Sequence, residues 1–225
     1  MNQMYIAGID EAGRGPVLGP LVIAGVVINE KDLDPLVEEG LTDSKLMPKV
    51  KRESMYEDIL KLAIDYQVVI IDAYEIDALR NNATNLNRIE INAMIKMLGA
   101  LTKWKMAFVD ACDRNANRMQ QILRKNVQEN IVAEHFADVK YPIVSAASVI
   151  AKVIRDQEIA KAHKEFGVDF GSGYSHDRKT NQFLMDYYSE HGELPVIARK
   201  SWETSKRVIR IHEQSNLDEF FSNTE

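Results

Sequence analysis

Short apolar runs alternate with amphipathic stretches along most of the chain. Residues 4–9 (MYIAGI) and 21–28 (LVIAGVVI) are runs of strand length and predict two strands. Gly13, Gly15, Pro16, Gly19 and Pro20 lie between them and predict a tight loop. Pro48 stands at the first turn of an expected helix over 48–64, where Met55, Ile59, Leu60 and Ala63 recur at helical spacing. A buried strand follows at 67–72, and an amphipathic helix at 84–101 carries Ile91, Ile95 and Leu98 on one face. The pattern then predicts a strand at 105–110, a helix at 115–126 and a strand at 130–135. A long helix is expected from Ser145 to about Phe166, and two more at about 180–190 and 203–214. Strands alternating with helices predict an α/β domain with a mixed central sheet, and the helix-rich last third predicts an added helical layer.

Composition narrows the function classes. Of 225 residues, 45% are apolar and 28% charged, as in a soluble globule of one or two domains. No apolar stretch reaches the roughly 18–20 residues that span a bilayer, so no membrane partner is expected. The start, MNQMYIAGIDEAGRG, lacks a basic-then-apolar leader, so no signal peptide and a cytoplasmic location are expected. The single cysteine, Cys112, excludes an internal disulfide and a cysteine metal cluster, and reads as buried filler. The five histidines show no zinc spacing. No nucleophile elbow, phosphate-binding lysine loop or dinucleotide fingerprint is present. The net charge of −6 argues against a nucleic-acid binder. Locally, however, Arg199, Lys200, Lys206, Arg207 and Arg210 face only Glu203. That stripe reads either as a nucleic-acid face or as a solvated helix face.

The candidate chemistry lies at strand ends. Asp10 and Glu11 close the first strand, where the glycine turn is expected to break it and spare two adjacent acids from burial. Asp110 ends another strand, and Asp138 lies in a short polar link before the long helix. Carboxylates gathered at strand ends suit a hard cation such as Mg²⁺, although each alone reads equally as a cap or turn residue. Gly13-Arg14-Gly15-Pro16 is either a loop admitting a phosphate or sugar, or an ordinary turn. Asp43-Ser44-Lys45 is a capping segment that can also contact phosphate.

Together these residues resemble the ribonuclease HII family, the type 2 ribonucleases H. The likeness is carried by GIDEAGRGPVLGPLVIAGVV at 8–27, DSK at 43–45, VDA at 109–111, SAASVIAKVIRD at 145–156, GSGY at 171–174 and HGELPVIARKSW at 191–202. The pattern is similar to the archaeal members. The resemblance implies an RNase H-like fold: a mixed five-stranded sheet flanked by helices, within a catalytic domain over 1–212. That domain includes a C-terminal helical extension from about 180, and a tail follows at 213–225. It implies an endonuclease that cuts the RNA strand of RNA–DNA hybrids and incises at single ribonucleotides in duplex DNA, leaving 5′-phosphate and 3′-hydroxyl ends. The family's metal tetrad falls on Asp10, Glu11, Asp110 and Asp138, with Asp113 the local competitor of Asp110. These acids are expected to hold two Mg²⁺ or Mn²⁺ ions about 3.5–4 Å apart. The implied substrate-binding residues are Gly13, Arg14, Gly15, Ser44, Lys45, Lys152 and Tyr174. Two departures stand out. Ser175 and His176 replace the Pro-Ser that often follows GSGY, which is expected to loosen the loop around Tyr174. Leu46 replaces a second lysine after DSK. A junction-resolving nuclease of related fold and a non-catalytic adaptor are the competing readings. A monomer is expected.

The tail carries one more pattern. Gln214, Leu217, Phe220 and Phe221 form a Q-x-x-Φ-x-x-aromatic-aromatic box that resembles the sliding-clamp-binding peptide of replication proteins. On a helical turn its three apolar members form one plug. The alternative is a C-terminal staple against the body.

Overall fold

A computed structural model describes residues 4–41 and 47–222, with side chains as far as Gln214. Five strands form one sheet: β1 (Tyr5–Ala12), β2 (Leu21–Asn29), β3 (Asp65–Ile71), β4 (Met106–Asp110) and β5 (Ile131–Glu134), in the order β3-β2-β1-β4-β5. β1 runs antiparallel to β2 and parallel to β4, and β4 parallel to β5, so the sheet is mixed as expected. The helices are α1 (Asp34–Glu38), α2 (Lys49–Leu62), α3 (Ala73–Asn81), α4 (Leu86–Ala100), α5 (Ala116–Asn126), α6 (Ala137–Lys140), α7 (Pro142–Phe166), α8 (Arg178–His191) and α9 (Glu203–Ser222).

The chain forms two compact units. The first comprises Met1–Ala12, Leu21–Ile70 and Asn85–Asp156. Its β2 is buried on both faces, which explains an apolar run without alternation. Val22, Ala24, Val26 and Ile28 pack in a core with Met55 and Ile59 of α2 and with Ile143–Val153 of α7. On the opposite face, Gly25 meets Met97 and Leu101 from the α4 end. Gly8 allows α7 to lie directly on β1: a Cβ there would stand 2.1 Å from the Ile143 carbonyl oxygen. The residues of β1 that share this α7-facing side are Ile6, Gly8, Asp10 and Ala12.

The second unit comprises Gly13–Pro20, Ile71–Thr84 and Gln157–Glu225. Its core gathers Val17, Leu18, Ile159, Phe170, Leu184, Ala198 and Val208. Leu18 forms an isolated antiparallel bridge with Ala198. Asp177 caps α8 through the Lys179 amide, and Gly192 ends it in the left-handed conformation.

Several expectations are corrected. β1 does not break at Asp10–Glu11: both acids pair with β2, and the strand continues to Ala12. α3 was not expected; it is nine residues long and is nucleated by Asp72, whose side chain accepts from the Glu75 amide at 2.7 Å. Asp138 lies in a one-turn helix rather than a link, and α7 begins at Pro142, ahead of Ser145. The backbone of α9 continues through the tail to Ser222.

Candidate active site

The site in the first unit is built by register. Ile9 pairs with Val109 in the parallel β1–β4 ladder, so Asp10, two residues before the end of β1, stands level with Asp110, the last residue of β4. Phe136, in a left-handed conformation (φ 59°), turns the chain from β5 into α6. The Ala137 amide then donates to Asp110 Oδ1 at 2.7 Å, which ties α6, with Asp138, to the end of β4. Asp10 and Asp138 are 5% and 3% exposed. Burial pushes the Asp10 carboxyl up from 3.8 to about 7, and the charges of Asp110 and Asp138 push in the same direction. A hydrogen bond from Ser148 and the Glu11 amide at 2.7 Å oppose the rise. Behind Ser148 on α7, Lys152 Nζ lies 2.9 Å from the serine oxygen. Lys152 is half-buried on this chain of contacts.

Glu11 is positioned differently from its neighbour. By strand alternation it projects from the face opposite Asp10. Its Oε2 and Asp138 Oδ1 are buried oxygens that receive no hydrogen bond from the protein, although both residues have other interactions. Among the described residues, no three His, Cys, Asp or Glu side chains already converge closely enough to hold an ion. Like charges resist such convergence, and a divalent cation would oppose that repulsion. The donor set is all carboxylate oxygen, which fits a hard cation and excludes a soft one.

Asp113, the local competitor of Asp110, is engaged by other partners. Arg118 reaches it at 2.8 and 2.5 Å, and the Asn115 amide at 2.9 Å. These bonds, the amide first, hold its carboxyl below the ordinary range. Glu134, which the sequence reading did not single out, lies beside Asp110 in the β4–β5 register. Lys140 and the Tyr141 hydroxyl bind it and lower its pKa. Its signal was present as an acid at the end of the NIVAEH run. Exposed Phe136, next to the acids, had no signal, because a left-handed aromatic is not marked by residue type.

In the second unit the structure brings together two predicted substrate segments. The amides of Val17 and Leu18 donate to the Gly173 carbonyl at 2.9 and 3.1 Å. A Cβ at Gly15 would stand 3.6 Å from Tyr174 Cε1, so the half-buried tyrosine ring borders the Gly13–Gly15 loop. Side-chain hydrogen bonds tie this segment. Asp177 Oδ2 accepts from both the amide and the hydroxyl of Ser172 at 2.8 Å. Asn181 Nδ2 donates to the Ser175 carbonyl at 2.7 Å. The basic stripe is also corrected: Arg199 is fully buried, whereas Lys200, Lys206, Arg207 and Arg210 are exposed. Ser44, Lys45 and Leu46 lie outside the described residues, as do the side chains of Leu217, Phe220 and Phe221; Gln214 is exposed. No helix among the described residues is long and apolar enough to cross a membrane.

The chain and its fold are similar to known proteins. The family model for Ribonuclease HII matches residues 7–205. A Ribonuclease HII from Pyrococcus furiosus is 44% identical over 225 residues, covering 97% of this chain and 99% of that one. The crystal structure of the ribonuclease H2 from Pyrococcus horikoshii OT3 is similar with a TM-score of 0.85 and 39% identity, over 92% of this chain and 98% of that one. The RNase HII in a PCNA:RNase HII complex from Archaeoglobus fulgidus is similar with a TM-score of 0.82 and 38% identity, over 89% and 96%.

Proposed function

Because the chain belongs to the ribonuclease HII family, and is therefore a ribonuclease H endonuclease and a hydrolase, we propose that its strand-end acids are the catalytic centre. The substrates are the RNA strand of RNA–DNA hybrids and single ribonucleotides embedded in duplex DNA. The observation that carries this reading is the approach of Asp10 on β1, Asp110 at the end of β4 and Asp138 on α6, which burial and mutual repulsion make costly unless cations bind.

Asp10, Asp110 and Asp138, with Glu11, which leaves β1 on its other side one residue before the strand ends, as the fourth carboxylate, would hold two Mg²⁺ or Mn²⁺ ions. Bound there, the ions would supply an activated water and an electrophile for the leaving 3′ oxygen. The chain's own residues orient the donors. The Ala137 amide fixes Asp110, and Ser148 and the Glu11 amide fix Asp10. Lys152 donates to the Ser148 oxygen and so holds that hydroxyl in place beside Asp10. Gly13, Arg14, Gly15 and Tyr174 bind the nucleic acid, and Ser44 and Lys45 contact phosphate. The 2′-hydroxyl distinguishes RNA from DNA, so the loop and the tyrosine set specificity.

A labelled duplex with one ribonucleotide tests the reading. With Mg²⁺ it should be cut once at that position, leaving 5′-phosphate and 3′-hydroxyl ends, and with chelator it should stay intact. Cutting of an all-DNA junction but not of a hybrid would instead identify a resolvase. A sliding clamp is the proposed partner of the box at Gln214, Leu217, Phe220 and Phe221. The Archaeoglobus fulgidus relative's complex with PCNA supports that assignment.

A further inference from the structure

Arg199 is the largest fully buried side chain among the described residues. A buried guanidinium is very costly unless its donors are met. Backbone carbonyls meet them here: Nε donates to Gly19 O at 3.1 Å, Nη1 to Arg14 O at 3.0 Å and Nη2 to Gly13 O at 2.5 Å. The Trp202 ring lies 4.8 Å from its Cζ, and Trp202 Nε1 donates to Gly15 O at 3.2 Å. The arginine is itself anchored by its amide on Val17 O at 2.9 Å, and its carbonyl accepts from the Ser205 hydroxyl at 2.8 Å.

These bonds draw four carbonyls of one loop, those of Gly13, Arg14, Gly15 and Gly19, toward one pair of side chains. In a planar trans peptide the N–H points opposite to the C=O, and there are no cis peptides in the described chain. Gly15 and Gly19 are each followed by proline, which has no N–H. Gly13 and Arg14 are followed by Arg14 and Gly15, whose consecutive amides are therefore directed away from Arg199. Gly13 has φ 84°, a conformation that a side chain would strain. Two consecutive amides in such a turn form a concavity suited to an anion or other acceptor oxygen. The buried positive charge behind the loop strengthens that preference.

We propose that Arg199 and Trp202 are positioning residues that hold the carbonyls of Gly13–Gly15 inward and so aim the Arg14 and Gly15 amides at an acceptor oxygen of the nucleic-acid backbone. The proposal rests on the ribonuclease reading and deepens it by assigning which residues set the specificity loop. The oxygen belongs either to a phosphate or to the 2′-hydroxyl of the ribonucleotide.

The test uses the full chain and two variants. Arg199→Lys keeps the charge but loses the forked donors, and Trp202→Phe keeps a ring but loses the donor to Gly15. Thermal melts first identify which variants are folded at the assay temperature. For folded Arg199→Lys, KM for the ribonucleotide duplex should rise about tenfold with kcat within about twofold, because the loop grips substrate and does no chemistry. Trp202→Phe should raise KM about threefold, and it decides the matter alone if Arg199→Lys does not fold. A loss of stability alone would lower the amount of active enzyme and leave the KM of the folded molecules unchanged. Binding to the same duplex without the ribonucleotide separates the two oxygens. Equal weakening on both duplexes assigns a phosphate, and weakening on the ribonucleotide duplex alone assigns the 2′-hydroxyl. If the parent cuts the duplex and every folded variant matches it in KM, the inference fails while the ribonuclease reading stands. If the parent does not cut at all, the ribonuclease reading fails first.

Discussion

Asp10 and Arg199 are both ionisable groups with almost no exposed surface, but their surroundings treat them in opposite ways. Arg199 is surrounded by carbonyl oxygens and by the face of Trp202, so its charge is satisfied within its own unit. Asp10 is buried near two further carboxylates, and together these outweigh the hydrogen bonds from Ser148 and the Glu11 amide, so its charge is opposed within its own unit. A buried charge whose hydrogen bonds are complete fixes a backbone. A buried charge that its neighbours oppose marks a place where something else must bind.

The largest test of this contrast is Asp10→Asn or Asp110→Asn. Each removes ligand charge and keeps shape, so cleavage should fall about 10³-fold while hybrid binding, measured by gel shift, survives. Near-normal turnover in both variants would remove these acids from the catalytic role. A smaller effect is expected at Tyr174. If the ring stacks on the sugar, Tyr174→Ala should lose about tenfold in kcat/KM and Tyr174→Phe almost nothing. If the hydroxyl is the reader, Tyr174→Phe should be impaired as well. Normal behaviour of both variants would separate this ring from substrate recognition, despite its position beside Gly15.

The acids should also leave a trace in stability. Folded, Asp10 keeps its proton up to about pH 7, whereas unfolded it releases it near 3.8. Between those values the folded state binds the extra proton, so stability falls as pH rises. The contribution is complete below about 3.8 and is lost through about 7. In chelating buffer Asp10→Asn should therefore show a flatter dependence on pH and melt about 4 °C or more above the parent at pH 8. A calorimetric scan that finds the parent equally stable at pH 5 and 8 would contradict the crowding described for these carboxylates. The smallest effect is expected from Phe220→Ala with Phe221→Ala. Clamp pull-down and clamp-stimulated incision should disappear, with cleavage of short free duplexes and the melting temperature unchanged. A double variant that melts well below the parent and still binds clamp would show that the tail is a packing element.

Much of the architecture is written in local pattern. LVIAGVVI is an apolar run of strand length, and β2 is a strand, buried on both faces. Asn85 and Asn115, ahead of the apolar periods of α4 and α5, cap those helices through their own side chains. The strand-end position of Asp110 was equally legible, because an acid that closes an apolar run has little place inside the sheet. What local pattern did not determine was pairing. The parallel register that sets Asp10 level with Asp110 joins residues a hundred positions apart. The left-handed Phe136 that turns Asp138 toward the end of β4 has no marker in residue type. Arg199 is the clearest case. In the sequence it belongs to a basic stripe, and only the folded chain encloses it among the carbonyls of a loop about 180 residues earlier. Periodicity and capping act over one or two turns, so the sequence alone determines most of the elements and roughly where along each of them a charge stands. Whether a charge is neutralised, opposed or left to solvent depends on which distant backbone reaches it, and that is decided by tertiary packing.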